Sequence, residues 1–193
     1  VWKQGRLFVE GVALGRIAAA VGTPVYVYSA GGIKAQLKGL QAAFAGRESL
    51  ICYALKANSN GAVCRVLARG GAGADIVSGG ELSRALAAGF APRRIVFSGV
   101  GKTRVEMAAA LRAGVLALNV ESAEELDALE RTARGLRRRA PVAVRVNPDV
   151  DAKTHRHIAP GRAGDKFGVA PREALELYAR AARSAWLEPV GIQ

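Results

Sequence analysis

Only its setting decides whether a lysine amine does chemistry. Lys56 closes the run Ile51-Cys52-Tyr53-Ala54-Leu55-Lys56 and is followed at once by Ala57-Asn58-Ser59-Asn60. The run has strand character, so alternation places Cys52, Ala54 and Lys56 on one face and Ile51, Tyr53 and Leu55 on the other. An amine at the mouth of a buried strand, with small neighbours on its own face, can be desolvated, which makes it a nucleophile of the Schiff-base kind. The same spacing suits a lysine that snorkels into water. Asp75 stands inside the run Ala74-Asp75-Ile76-Val77, with Ser78-Gly79-Gly80-Glu81 directly after it. Asp75 and Glu81 read equally as an acid/base pair or as a hydrogen-bonding residue and a helix N-terminal carboxylate favoured by the dipole. Arg145 lies on an apolar run, two residues before Asn147. A buried guanidinium needs a carboxylate, a phosphate or a cofactor atom.

Other patterns fail on spacing. Ser98-Gly99-Val100-Gly101-Lys102-Thr103 lacks the first glycine of a P-loop, because Val96 holds that place. Arg104 breaks the dinucleotide fingerprint in the same stretch. What remains there is Lys102 near a helix start, which could meet an anion. His155 and His157 read as solvated loop residues, and with no other histidine a His-rich metal site is not expected. Cys52 and Cys64 form no CxxC pair, which points to a reducing, cytoplasmic setting rather than a disulfide framework or structural zinc.

These groups must be carried by a regular scaffold. Strands are expected at 50–55, 74–77, 94–97, 115–120, 142–146 and 187–193, alternating with helices at 60–69, 80–88, 103–113, 122–134 and 171–185. Gly70, Gly89, Gly114 and Gly135 follow the last periodic residues as left-handed caps do. Before this rhythm come a weak strand at 7–12, a helix at 14–21, the strand-like Val25-Tyr26-Val27-Tyr28 and a helix capped by Ser29 that runs to about Ala45. Repeating β–α units with apolar strands imply a parallel sheet, either doubly wound or a TIM-type (β/α)8 barrel. The strands end in polar clusters (Lys56 to Asn58, Ser78 to Glu81, Ser98 to Lys102, Asn119 to Ser122, Arg145 to Asn147), all at the C-terminal end, where barrels build active sites. The connection after Asn147 is the longest.

The chain has 193 residues and a net charge of +12, enough length for one buried domain and enough charge to raise nucleic acid as a partner. The only dense basic cluster, Arg131, Arg134, Arg137, Arg138 and Arg139, lies at a helix end with no interleaved aromatics, so a solvated helix end is the expectation and nucleic-acid and membrane binding are not. No apolar run approaches the roughly 18 residues of a membrane span.

Taken together, these stretches resemble a known family. Tyr53-Ala54-Leu55-Lys56-Ala57-Asn58 is similar to the pyridoxal-phosphate lysine motif of the alanine-racemase-like (fold type III) amino-acid decarboxylases. Gly73 to Leu82, Phe97 to Thr103, Asn119 to Ser122, Arg145 to His155 and Lys166-Phe167-Gly168 look more narrowly like the diaminopimelate decarboxylase branch, in the same order. The resemblance implies a pyridoxal 5'-phosphate cofactor bound covalently by Lys56, with Asp75 and Arg145 close to it and Ser78, Glu81 and Asn147 supporting that network. It implies decarboxylation of meso-2,6-diaminopimelate to L-lysine by a homodimer. Ornithine-, arginine- or carboxynorspermidine-type decarboxylases of the same fold, and a non-catalytic cofactor-binding protein, are the alternatives. Both chain ends look cut, so the expectation is a barrel truncated after about six strands. Residues 25–193 would form a partial cofactor barrel, and residues 1–24 a segment that packs with a further β domain. The family's histidine and phosphate-loop motifs have no counterpart up to Gln193, so this stretch alone is expected to be inactive.

Overall fold

A computed structural model describes residues 1–148 and 167–193. The N-terminal residues pair back on themselves. Strands β1 (Trp2–Lys3), β2 (Arg6–Val9) and β3 (Val12–Ala13) form an antiparallel sheet. Gln4 and Gly5 join β1 to β2 with positive φ at both positions (48° and 69°), as the twist of a two-residue hairpin requires. Helix α1 (Leu14–Val21) follows, then α2 (Ala30–Ala43). Ser29 caps α2 by accepting the Gly32 N–H at 2.8 Å. Glu10 Oε1 accepts from the Ser29 hydroxyl and the Gly31 N–H, both at 2.7 Å, tying the hairpin to the helix start. Val25 to Tyr28 form no strand, contrary to expectation, and Tyr26 is 88% exposed. Strand character in a sequence becomes a strand only when a partner takes its backbone hydrogen bonds, and none of the described residues does so here.

The main sheet is parallel and six-stranded: β4 (Cys52–Ala54), β5 (Gly73–Ile76), β6 (Ile95–Phe97), β7 (Ala117–Val120), β8 (Ala140–Val144) and β9 (Leu187–Ile192). Its helices are α3 (Gly61–Arg69), α4 (Gly79–Ala88), α5 (Arg104–Ala113), α6 (Ala123–Leu136) and α7 (Pro171–Arg183). Strand order in the sheet equals order in the chain. Right-handed crossovers that always step the same way put every helix on one face, whereas a doubly wound sheet reverses direction part-way. The sheet is also curled. β6 and β9 are three places apart, which in a flat sheet means about 14 Å, yet the Gln193 amide reaches Ser98 Oγ at 3.5 Å. One-sided helices on a curled parallel sheet are barrel architecture.

The core lies between sheet and helices. Ile76, Phe97, Leu118 and Val142 share one row of the register and are all fully buried. Leu67, Leu82, Met107, Leu126 and Leu177 cover this face from α3 to α7. Each such side chain contributes roughly 1.5–3 kcal/mol on burial. Gly73 has no room for a side chain, since a Cβ would run into the Arg94 carbonyl and stand 2.8 Å from Cys52 Sγ.

Two cap expectations need correction. Gly89 and Gly114 are left-handed caps, but Gly70 has φ −77°, with the left-handed position one residue later at Gly71. Gly135 lies inside α6, which runs on to Leu136 and ends at Arg137 in the left-handed region (φ 52°). No helix among the described residues is long and apolar enough to cross a membrane.

Candidate active site

β4 ends at Ala54, and Leu55–Ala57 forms a single 3₁₀ turn. Strand alternation therefore stops before Lys56. Leu55 is driven fully into the core and Lys56 is exposed rather than desolvated on the strand face. Among the described residues nothing hydrogen-bonds or ion-pairs with Lys56. Asn60 then accepts the Ala62 N–H at 2.9 Å and starts α3.

Asp75 is carried on the inner face of β5. Its Oδ1 accepts the Ser98 hydroxyl at 2.7 Å, and Ser98 Oγ in turn accepts from Asn119 Nδ2 at 3.0 Å. Cys52, Asp75, Asn119, Ala143 and Gln193 line a cavity of about 450 Å³ on this face. Burial, and secondarily the charge of Asp75, pushes the Cys52 thiol up, so it stays protonated and inert. The larger cavity, about 620 Å³, lies between α2 and β4 and is lined by Tyr28, Ile33, Leu37, Ile51 and Tyr53. It is apolar and holds none of the candidate catalytic groups, whereas Asp75 lines the inner-face cavity.

Glu81 is not an acid/base partner of Asp75. Its Oε2 accepts the Val77 N–H at 2.8 Å, while Ser78 Oγ accepts the Glu81 N–H at 3.2 Å. The two bonds fix the β5–α4 turn and orient the residues that leave Asp75. Glu106, the capping-box residue of α5, reinforces the turn by accepting the Gly79 N–H at 2.7 Å.

Arg145 is half-buried rather than buried, and it pairs with a carboxylate. Nη1 lies 3.0 Å from both oxygens of Glu121, and the guanidinium stacks 5.1 Å from the Phe167 ring centre. Glu121 Oε1 also accepts the Gly99 N–H at 3.2 Å, so one carboxylate fastens the ends of β6, β7 and β8. Asn147 is tied through its backbone N–H to the Val169 carbonyl at 2.8 Å. Lys102 is not available to an anion: Nζ lies 2.7 Å from Glu125 Oε1 and 2.5 Å from the Gly99 carbonyl, with no exposed side-chain surface. Arg138 and Arg139, from the basic cluster, donate to the Leu111 and Leu187 carbonyls. The described residues contain no cluster of metal-ligating side chains. His155, His157 and the motif from Asp149 to Lys166 lie outside the described residues.

The structure thus brings Asp75 onto the interior cavity and sets Lys56, Ser78, Glu81, Arg145 and Asn147 at the same C-terminal end of the sheet, although none of these five lines the cavity itself. Sequence reasoning counted Ser98, Asn119 and Glu121 among the polar strand ends but gave none of them a role of its own. Their signal was a polar residue within or immediately after an apolar strand run, in Phe97-Ser98 and Leu118-Asn119-Val120-Glu121.

The family described as pyridoxal-dependent decarboxylase, pyridoxal binding domain, matches residues 30–193. The chain belongs to this family. Among pyridoxal-dependent decarboxylases it is similar to the diaminopimelate decarboxylase of Pseudomonas aeruginosa, 56% identical over 191 residues, which cover 99% of this chain and 46% of that one. The crystal structure of the Helicobacter pylori diaminopimelate decarboxylase complexed with L-lysine superposes with a TM-score of 0.89 at 48% identity, over 93% of this chain and 45% of that one. The diaminopimelate decarboxylase of M. jannaschi gives a TM-score of 0.92 at 38% identity, over 100% and 46%. The chain therefore spans somewhat under half the length of these relatives. The donor set fits the family's cofactor: an amine without a partner among the described residues suits an aldehyde, an interior carboxylate suits a protonated ring atom, and a guanidinium suits an anionic or acceptor oxygen.

Proposed function

We propose that this chain supplies the cofactor-anchoring part of a pyridoxal-phosphate-dependent carboxy-lyase that converts meso-2,6-diaminopimelate to L-lysine and CO2. The observation that carries this proposal is the exposed Lys56 amine, without a partner among the described residues, at the same C-terminal end of the sheet as the Asp75–Ser98–Asn119 and Glu121–Arg145 networks. When bound, the cofactor supplies an electron sink for the carbanion that loss of CO2 leaves. Lys56 Nζ would hold it covalently, and its exposure leaves the amine open to solvent. Asp75 orients it from the barrel interior. Arg145, held by Glu121 and Phe167, contributes positive charge at a fixed place. Ser78 and Glu81 keep the β5–α4 turn closed, and Asn147 anchors the start of the long connection.

Residues 25–193 then belong to the cofactor barrel, and residues 1–24 pack with a further β domain. The whole protein works as a cytoplasmic homodimer, which its free thiols suit. The test uses the full-length protein. Added pyridoxal phosphate produces a visible absorption band and turnover of diaminopimelate, and Lys56→Ala abolishes both. A band that survives Lys56→Ala removes the anchor assignment. Turnover of ornithine or arginine in place of diaminopimelate removes the substrate assignment. Residues 1–193 expressed alone show no turnover.

A further inference from the structure

We infer that Ser98 and Asn119 are positioning residues for the reaction, acting through Asp75 by a hydrogen-bond relay of fixed polarity across three strands. The inference rests on the proposed role of Asp75 beside the cofactor. Ser98 is 6% exposed and Asn119 3%. The register pairs Asp75 with Val96 and Val96 with Ala117, so Ser98 and Asn119, two residues on, stand side by side one layer above Asp75 on the inner face. An amide nitrogen can only donate, and Asn119 Nδ2 donates to Ser98 Oγ at 3.0 Å. Gln193 Nε2 approaches the same oxygen at 3.5 Å. A hydroxyl has two acceptor positions and one proton. With amide donors on its lone pairs, Ser98 has one thing left to give, and it gives its proton to Asp75 Oδ1 at 2.7 Å.

The relay therefore pins one oxygen of Asp75 and sets the rotation of the carboxylate that lines the interior cavity. Packing alone does not call for these groups. Alanine and an aliphatic side chain would fill the same volume without burying an amide and a hydroxyl, whose desolvation is offset only when every bond is made. A half-satisfied set would cost more than none, and here Ser98 is saturated.

The experiment measures pyridoxal phosphate affinity by fluorescence titration of the full-length, cofactor-free protein, together with the absorption maximum of the bound cofactor and the melting temperature. Ser98→Ala weakens affinity about tenfold, the size of one lost charge-assisted hydrogen bond. Ser98→Thr keeps the hydroxyl and restores affinity to within about threefold. Asn119→Asp, nearly unchanged in shape, puts an acceptor where the donor stood, turns the Ser98 proton away from Asp75 and shifts the absorption maximum. Ser98→Ala has no further effect once Asp75→Asn is present. Equal losses from Ser98→Ala in the wild-type and Asp75→Asn backgrounds would overturn the relay. So would a fall in melting temperature with affinity and absorption unchanged. If Asp75→Asn itself leaves affinity untouched, the proposed role of Asp75 fails and the relay loses its purpose. If Asp75→Asn weakens binding and Ser98→Ala does not, only the relay fails. Should Ser98→Ala fail to fold, Asn119→Asp and Ser98→Thr decide by the same measurements.

Discussion

Replacing Lys102 with methionine keeps most of the volume of that side chain and removes its charge. The site is closed: the Lys102 side chain has no exposed surface, and that of Glu125 only 10%. Glu125 Oε1 sits 2.7 Å from Nζ, and its other oxygen accepts the Glu121 N–H at 2.8 Å. Lys102→Met thus leaves a carboxylate in a pocket that water does not reach, and breaking a buried pair in this way costs about 3–5 kcal/mol. A domain of this size holds roughly 5–15 kcal/mol in all and loses about 2–4 °C of melting temperature per kcal/mol, so the expected fall is roughly 6–20 °C. Glu125→Gln strands the lysine instead and costs a similar amount. The double variant Lys102→Met/Glu125→Gln leaves no buried charge, and its loss is smaller than the sum of the two by about 2–3 kcal/mol. Urea unfolding of the four proteins at neutral pH measures all of this in one cycle. A single-variant loss below about 1 kcal/mol, the value of an exposed pair, would refute the argument that the pair is shielded from solvent.

Two further outcomes follow from turns and caps. The Glu106 carboxyl is held below its ordinary value of 4.5, first by the Gly79 N–H and then by the N–H and hydroxyl of Thr103. A depressed folded value means that the stabilisation is present above the ordinary value and is lost as pH falls through the folded one. Glu106→Gln therefore flattens the acid limb of a stability–pH curve below about pH 4.5 and leaves its slope near neutrality unchanged; an unaltered acid limb contradicts the assignment. Arg137 adopts φ 52° at the end of α6, a conformation that strains any side chain. Arg137→Gly relieves this and raises the denaturation midpoint by about 0.5–1 kcal/mol equivalent after the added freedom of the unfolded chain is subtracted.

The strand–helix rhythm was legible because a parallel strand buried on both faces writes a continuous apolar run, and Ile76, Phe97 and Leu118 are such residues. Val25 to Tyr28 carry the same composition without a strand partner among the described residues, and no local pattern reports that. Gly135 resembled a cap because glycine usually takes the left-handed position, but α6 runs one residue past it and leaves that geometry to Arg137. The strand-face setting expected for the Lys56 amine does not hold. A 3₁₀ turn, not strand alternation, presents it, since Leu55 is the residue the core claims. Arg145 advertised its need for a carboxylate, but the identity of that carboxylate depends on which strand ends adjoin in space. Ser98 was hidden further by a neighbouring glycine–lysine pattern that drew attention to phosphate binding, although the lysine of that pattern is locked to Glu125.

The identity of strand order and chain order also bears on how the molecule is made. Strands begin at 52, 73, 95, 117 and 140, so during synthesis a new one emerges roughly every 22 residues beside a neighbour already in place. Each addition closes a loop of similar length and meets a similar entropic toll, so growth is vectorial and no strand waits for a distant mate. The exception is the step from β8 to β9, which begins only at 187 and spans about twice the usual chain. Doubling a loop adds only about 0.6 kcal/mol to closure, so the long connection at the C-terminal end of the sheet is carried at little thermodynamic penalty, and β9 is completed last among the described strands.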